Sequence, residues 1–424
     1  MFWYHDQTKH SYNSVRMYPN QLAWEDQPST YKNYPESYKK CKLDLDNAED
    51  DFLYHIAGLT AKKTYPGGEY SLRINPSAGA LYPNELYFQV RGVEGVENGI
   101  YHYEVSSSSI TLLQKIVDDE GLEPYMGYKT AMKGYLFLIS AIYYRSSWKY
   151  KNRAFRYCLL DAGHLLGSIE ASALLKPHAV QVIYTIDREK LNRMFGFEKQ
   201  EWFLSGLVMA VPVKGQEVKA IEFELPFVDG SRTFKQNTII EEAYEESMLI
   251  EGCKKELSAP KFSYNDIKLK ETIFSRRSQR GFKEGAITKG QFNYIMDAIH
   301  QPVLSDCNEE VTVYVVLNRV LDMPLGLYKN GEYLKYGDFG NHAGYLSLEQ
   351  YSLSTQGAVA FFLTSKAKNY QALYQKAGII GHRLYIASLY LGIGCSGIGA
   401  YYDDEVNRFV ENDEMVLYAL AIGK

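Results

Sequence analysis

Along the chain, short apolar runs bounded by turn residues alternate with two long stretches in which apolar and small residues recur at helical spacing. The runs at Glu85–Val90, Tyr135–Ala141, Leu207–Val213, Val311–Leu317, Ala358–Thr364 and Val416–Ile422 have the length and composition of strands. The stretches Phe155–Leu175 and Tyr374–Leu391 predict long helices that carry Ala, Gly and Ser where a neighbour would touch them. Strands punctuated by turns, with long helices between them, predict an α+β sandwich.

The pattern occurs twice. A shift of 215 positions lays the helical stretch at Leu160–Leu174 on Gln375–Leu389 and Asn192-Arg193 on Asn407-Arg408. Earlier in the unit, a shift of 227 pairs Tyr87 with Tyr314, Gly99 with Gly326 and Tyr101 with Tyr328. Landmarks in one order at such offsets mark an internal duplication. The expected organisation is a first copy over 1–215, a linker over 216–266 and a second copy over 267–424. The run Glu241-Glu242-Ala243-Tyr244-Glu245-Glu246 reads as a solvated acidic helix within the linker.

Composition narrows the function classes. The 424 residues suit two domains, and 46% hydrophobic with 23% charged residues is ordinary for a globular protein. A net charge of −5 argues against a general nucleic-acid binder. No apolar run of about 18 residues predicts a spanning helix, and the N-terminus lacks the pattern of a signal peptide. The five cysteines are scattered, without a C-x-x-C pair, which predicts neither a disulfide frame nor a metal site and points to a reducing, cytoplasmic setting. The 37 tyrosines are spread through both halves and single out no site.

Three segments could carry chemistry. Arg276-Arg277-Ser278-Gln279-Arg280-Gly281-Phe282 offers guanidiniums and a hydroxyl suited to a phosphomonoester. About a hundred residues later come glycines, Gly392 to Gly399, where backbone could approach a flat ring. Pro76-Ser77-Ala78-Gly79-Ala80 is a tight turn of small residues before a strand, although an ordinary loop is the commoner explanation of such a turn. Trp148-Lys149-Tyr150-Lys151-Asn152-Arg153 places an amine and a phenol side by side, a pair able to take a proton; a basic helix start with snorkelling side chains is the plainer alternative. His164 reads as a core histidine, and no P-loop, zinc or Rossmann fingerprint is present.

At these segments the sequence resembles the SagB-type peptide dehydrogenases, azoline oxidases of the flavin-dependent nitroreductase superfamily. Arg-Arg-Ser-x-Arg-x-Phe at 276–282 is similar to the superfamily's FMN-phosphate motif. Pro-Ser-Ala-Gly-Ala-Leu-Tyr-Pro at 76–83 is close to the hallmark of the SagB-type branch, as is Lys149-Tyr150 followed by Arg156-Tyr157 and Ala162-Gly163-His164. Trp24-Glu25-Asp26-Gln27-Pro28 resembles the entry segment of tandem members.

The resemblance implies a nitroreductase fold in two tandem copies packed as an intramolecular pseudo-dimer. It implies FMN held by Arg276, Arg277, Ser278 and Arg280, by Gly397, Ile398, Gly399 and Ala400, and by Pro76, Ser77, Ala78, Gly79 and Ala80. Lys424 stands where many members continue with basic residues. Lys149 and Tyr150 are implied as the general-base pair. The motifs are divided between the copies: copy two shows Val303-Leu304-Ser305-Asp306-Cys307 where the Pro-Ser turn belongs, and copy one shows Lys176-Pro177-His178-Ala179-Val180 where the glycines belong. One composite FMN site per chain is therefore expected. The implied activity is oxidation of thiazoline or oxazoline rings in a ribosomal peptide, with a cyclodehydratase as a partner and room for a further homodimer. The alternative is an NAD(P)H-dependent reductase of small electrophiles. Neither nucleic acid, membrane nor metal enters either reading.

Overall fold

The computed structural model describes residues 1–17, 22–65, 68–117, 119–176, 179–197, 200–262 and 264–424. Pro177 and His178, part of the segment compared above with the glycines of copy two, lie outside them. The chain forms two compact units that are not contiguous in sequence. One comprises 22–260 with 302–308; the other comprises 1–21, 261–301 and 309–424.

The larger unit is built on a nine-stranded sheet. Its strands are β1 (Lys40–Lys42), β2 (Asn84–Arg91), β3 (Gly99–Glu104), β4 (Ser109–Lys115), β5 (Thr130–Ala141), β6 (Gln181–Ile183), β7 (Trp202–Glu217), β8 (Lys254–Glu256) and β9 (Ser305–Asn308), in the order β1-β4-β3-β2-β5-β7-β6-β9-β8. Every residue of β2 is buried, as expected of a strand covered on both faces. Helix α1 (Ala48–Ala57) starts where the Asn47 side chain accepts from the Glu49 and Asp50 amides, with three acids in its first turn. Then come α2 (Tyr144–Tyr150), α3 (Ala154–Ala173), α4 (Arg188–Met194) and α5 (Thr238–Ser247). All residues of α3 are buried. Its Ala, Gly and Ser positions allow that depth, since small side chains let backbones approach.

The smaller unit repeats this plan. Helices α6 (Asp266–Ser275) and α7 (Lys289–Ile299) lead into β10 (Thr312–Leu317), β11 (Gly326–Lys329), β12 (Glu332–Tyr336), β13 (Val359–Ser365), α8 (Tyr370–Tyr390), β14 (Gly394–Ile398), α9 (Asp403–Val410) and β15 (Met415–Gly423). The sheet order β12-β11-β10-β13-β15-β14 matches β4-β3-β2-β5-β7-β6 of the larger unit strand for strand. Asn192-Arg193 falls in α4 and Asn407-Arg408 in α9, equivalent places in the two plans. The N-terminal helix Phe2–Gln7 belongs to this unit: the His10 amide donates to the Asp403 carboxylate at 2.9 Å, and the Asp403 amide donates to the His10 carbonyl at 3.2 Å.

Two expectations are corrected. The acidic run is not fully solvated, because α5 buries Ile240, Ala243, Tyr244 and Ser247 and stacks Tyr244 on Trp202 at 4.4 Å. The four-residue spacing of its apolar positions gives it that inward face. The cysteines do form a disulfide: Cys253 is bonded to Cys307, leaving Cys41, Cys158 and Cys395 free. Spacing rules overlook this pair because 54 residues separate the partners. Only the antiparallel pairing of β8 with β9 brings them together. Residues 303–307, read above as an eroded turn, supply most of β9, which also pairs in parallel with β6. The bond removes the ground on which a reducing setting was inferred. Among the described residues no helix is long and apolar enough to cross a membrane.

In denaturant, three thiols should react before reduction and all five after it. Cys253→Ser should lower the unfolding free energy by roughly 2–4 kcal/mol in urea titrations. Five reactive thiols before reduction would refute the bond.

Candidate functional site

In the larger unit the site is set by one turn and the helix above it. Ser77 is extended; Ala78–Ala80 follow as a single 3₁₀ turn in which Gly79 has φ +64. Ala80 (φ 55) and Tyr82 (φ 45) also lie in the left-handed region, so three of four consecutive residues are held where only Gly rests without strain. Such a conformation persists only if its surroundings impose it.

Two buried acids do so. Asp161 on α3 accepts from the Ser77 hydroxyl at 2.6 Å and from the Ala78 amide at 3.2 Å. The Ser77 hydroxyl in turn accepts from the Tyr82 amide at 2.9 Å, closing the turn on itself. Burial pushes the Asp161 carboxyl up to about 7, against the pull of these two donors. Glu85, one strand residue beyond Asn84, is paired with Arg145 at 2.5 Å and with His102 at 2.9 Å. Burial alone would raise its carboxyl; Arg145 and His102 outweigh it and bring the group down to about 2. Arg145 also donates to the Tyr82 carbonyl and the Gly230 carbonyl, each at 3.0 Å.

Arg145 lies on α2, and the last two residues of that helix are Lys149 and Tyr150. Both reach the turn. A β-carbon at Gly79 would stand 2.7 Å from the Tyr150 hydroxyl and 3.1 Å from Lys149 Nζ. The Lys149 amine is 5.4 Å from the centre of the Tyr150 ring, which packs on Tyr157 at 4.3 Å. Gly79 is exposed while Pro76 is buried, so the turn offers its glycine outward. A cavity of about 390 Å³ in this unit is lined by Glu49, Lys133, Tyr135 and Lys176 among others, and no residue of the turn borders it.

In the smaller unit, Arg276, Arg277, Ser278 and Arg280 follow α6 directly. Ser278 forms a bridge with Cys395 of β14, and the Gln279 amide donates to the Cys395 carbonyl at 3.0 Å. Tyr385 of α8 joins both segments: its hydroxyl lies 2.8 Å from the Ser278 hydroxyl and accepts from the Gly397 amide at 2.6 Å. Arg276 is buried over the Tyr385 ring, and burial pushes that phenol up to about 12. Arg277 donates to the Arg276 carbonyl at 2.6 Å, and Arg280 is exposed. Glycine at 397 leaves room for the Tyr418 hydroxyl, and the Ile398 side chain joins the apolar core. Gly399 and Ala400 are half-buried just beyond β14. The Lys424 carbonyl accepts from the Lys283 amide at 2.6 Å, anchoring the exposed last residue beside Gly285.

The motif residues thus gather into two groups, one in each unit. Sequence reasoning missed the residues that hold them: Asp161, Glu85 and Arg145 in one, Tyr385 in the other. The available signal was a polar residue inside a stretch that otherwise reads as core. The group in the smaller unit has donors of the kind an FMN phosphate needs, guanidiniums and a serine hydroxyl. At Gly79 the Tyr150 hydroxyl and the Lys149 amine occupy the space a side chain would need, so glycine is the residue that fits beneath them. Among the described residues no His, Cys, Asp and Glu cluster could hold a metal ion.

Residues 273–424 match the model of the nitroreductase family. A nitroreductase-type protein of Methanocaldococcus jannaschii is 35% identical over 106 residues, covering 24% of this chain and 52% of that protein. The chain therefore spans about half the length of the curated relative it matches. The crystal structure of a nitroreductase-type protein of Anabaena variabilis aligns with 100% of this chain and 99% of its own at TM-score 0.82 and 24% identity, which shows the fold. The microcin synthetase complex McbBCD of E. coli is matched over 48% of this chain at TM-score 0.31, a likeness at which no function is transferred. Residues 273–424 are thus similar to the nitroreductase family, and the nitroreductase fold runs through the whole length of the chain.

Two outcomes test the supports of the turn. Folded Asp161 keeps a proton that the unfolded chain releases above its ordinary value of 3.8, so its contribution to stability falls as pH rises toward 7. Asp161→Asn should therefore gain on the wild type by up to about 4 kcal/mol between about pH 4 and pH 8 in urea titrations, and a pH-independent difference would refute this. Arg145→Met should destabilise by roughly 3–5 kcal/mol by stranding Glu85, and Arg145→Met with Glu85→Leu should recover part of the loss. A double variant no better than the single one would count against the pair.

Proposed function

We propose that the chain is an FMN-dependent dehydrogenase that oxidises thiazoline or oxazoline rings in a ribosomally made peptide to the aromatic azoles. The observation that carries this reading is the convergence of Lys149 Nζ and the Tyr150 hydroxyl on Gly79, at the exposed point of a turn held in strained backbone. In this reading Arg276, Arg277 and Ser278 hold the phosphate, with Arg280 and Lys424 as further cations. The Pro76–Ala80 turn and the Gly397–Ala400 segment are further flavin contacts in this reading, and FMN supplies the two-electron acceptor when bound.

An azoline becomes an azole by losing two hydrogens and two electrons. One hydrogen leaves as a proton and the other departs with the electron pair. Lys149 and Tyr150 supply two adjacent groups able to hold that proton, as a general base must within hydrogen-bond reach of the atom it deprotonates. The substrate ring must first be made from a cysteine, serine or threonine residue by loss of water, so a cyclodehydratase is the partner the reaction requires.

The test is anaerobic mixing of the FMN-loaded protein with an azoline-bearing peptide while the flavin band at about 450 nm is followed. The peptide should bleach it. Lys149→Ala should slow bleaching by roughly a hundredfold or more while FMN stays bound. Bleaching by NAD(P)H alone, unaffected by Lys149→Ala, would make the protein a reductase of small electrophiles instead.

A further inference from the structure

The segment resembling the entry of tandem members has no part in the proton step, yet it sits on the structure that carries it. Trp24 opens a 3₁₀ turn, Trp24–Asp26, and is 67% exposed. The residues on either side of it are nevertheless anchored at three points. The Trp148 indole N–H donates to the Ala23 carbonyl at 2.8 Å, the Thr233 hydroxyl donates to the Asp26 carbonyl at 3.3 Å, and Lys235 pairs with the Asp26 carboxylate. The Trp24 ring meets the Trp148 ring edge-on at 5.5 Å.

Trp148 is buried with Leu81 and Tyr144 in a small apolar cluster, and Leu22, Tyr150 and Phe234 pack against it. This cluster therefore joins three things: the residue just after the Pro76–Ala80 turn, the proposed base Tyr150, and the indole that carries Trp24. An indole carried on an anchored turn, with one edge against Trp148, has less freedom to lose when a flat group stacks on it. Its π-face favours a planar partner over an aliphatic one. A group lying on Trp24 while another meets Tyr150 belongs to a ligand longer than a single ring. An extended peptide is a ligand of that kind.

We propose that Trp24 is a specificity-determining platform on which a planar group of the substrate peptide stacks, an aromatic side chain or azole ring close in sequence to the ring being oxidised. The proposal rests on the peptide-dehydrogenase reading above and adds to it a preference for peptides with a flat group flanking the reacting position.

The experiment uses the full chain loaded with FMN and two synthetic, dye-labelled heptapeptides with a central thiazoline, one flanked by phenylalanine and one by leucine. Binding is read by anisotropy of the dye, and flavin bleaching is followed in parallel. Wild type should bind the phenylalanine peptide roughly fivefold tighter, as expected of one aromatic pair. Trp24→Ala should remove the preference and Trp24→Phe should keep most of it, with the flavin band intact in both. No preference in wild type, or an undiminished preference in Trp24→Ala, overturns the platform. A Trp24-dependent preference without bleaching by either peptide leaves the platform standing and removes the dehydrogenase reading. Bleaching without Trp24 dependence does the reverse.

Discussion

The ion pair of Arg145 with Glu85 is the interaction on which the larger unit's site depends. Both side chains are buried, and their charges would be costly there if unmatched. Arg145 offsets that cost by spending its donors on three separate pieces of chain: the Glu85 carboxylate in β2, the Tyr82 carbonyl at the exit of the turn, and the Gly230 carbonyl. Since it grows from α2, this one guanidinium fixes the helix that brings Lys149 and Tyr150 to the Gly79 turn. The strained backbone from Gly79 to Tyr82 is affordable because it is over-determined, held by Asp161 at its start and by Arg145 at its end.

The two units share a sheet order but divide their chemistry unequally. The smaller unit places its guanidiniums and serine at the end of α6, tied to β14. The larger unit places small residues before β2, beneath an amine and a phenol. The chain also crosses between the plans: residues 1–21 fold with the second plan, and residues 302–308 complete the sheet of the first. That second crossing uses in β9 the stretch of the second copy where a Pro-Ser turn would stand. A strand paired on both sides and bonded through Cys307 is not free to form such a turn. The asymmetry of the motifs therefore has a structural counterpart in the path of the chain.

What the sequence made legible follows from the range of each signal. The central strands and both long helices could be placed, because apolar periodicity is local and long elements repeat it many times. Two of the strands, Thr130–Ala141 and Trp202–Glu217, nevertheless run beyond the apolar stretches read at 135–141 and 207–213. Asn192-Arg193 and Asn407-Arg408 could be matched because the units keep equal spacing from the long helix onward. The Lys149–Tyr150 and Pro76–Ala80 segments could be singled out as motifs. Their meeting could not, since it depends on Arg145 and Asp161, which are remote from the turn in sequence. The disulfide and β9 were hidden for the same reason: both are pairings across long separations, with no local pattern to announce them.

The residues that were missed share one property that is itself informative. Helix α3 is buried along its whole length, and α8 along all but Lys376, Leu389 and Tyr390. On such a helix a polar side chain cannot turn to water, so it persists only where a partner offsets its desolvation. Asp161 finds that partner in the Ser77–Ala78 backbone and hydroxyl, and Tyr385 finds it in Ser278 and Gly397. In each unit the central helix thus uses a buried polar group to hold the segment that carries the motif. The same helices need small residues to sit so deep, and small residues alone could not hold a loop. The acid or phenol placed among them is therefore the connection through which the core of each unit fixes the geometry of its motif.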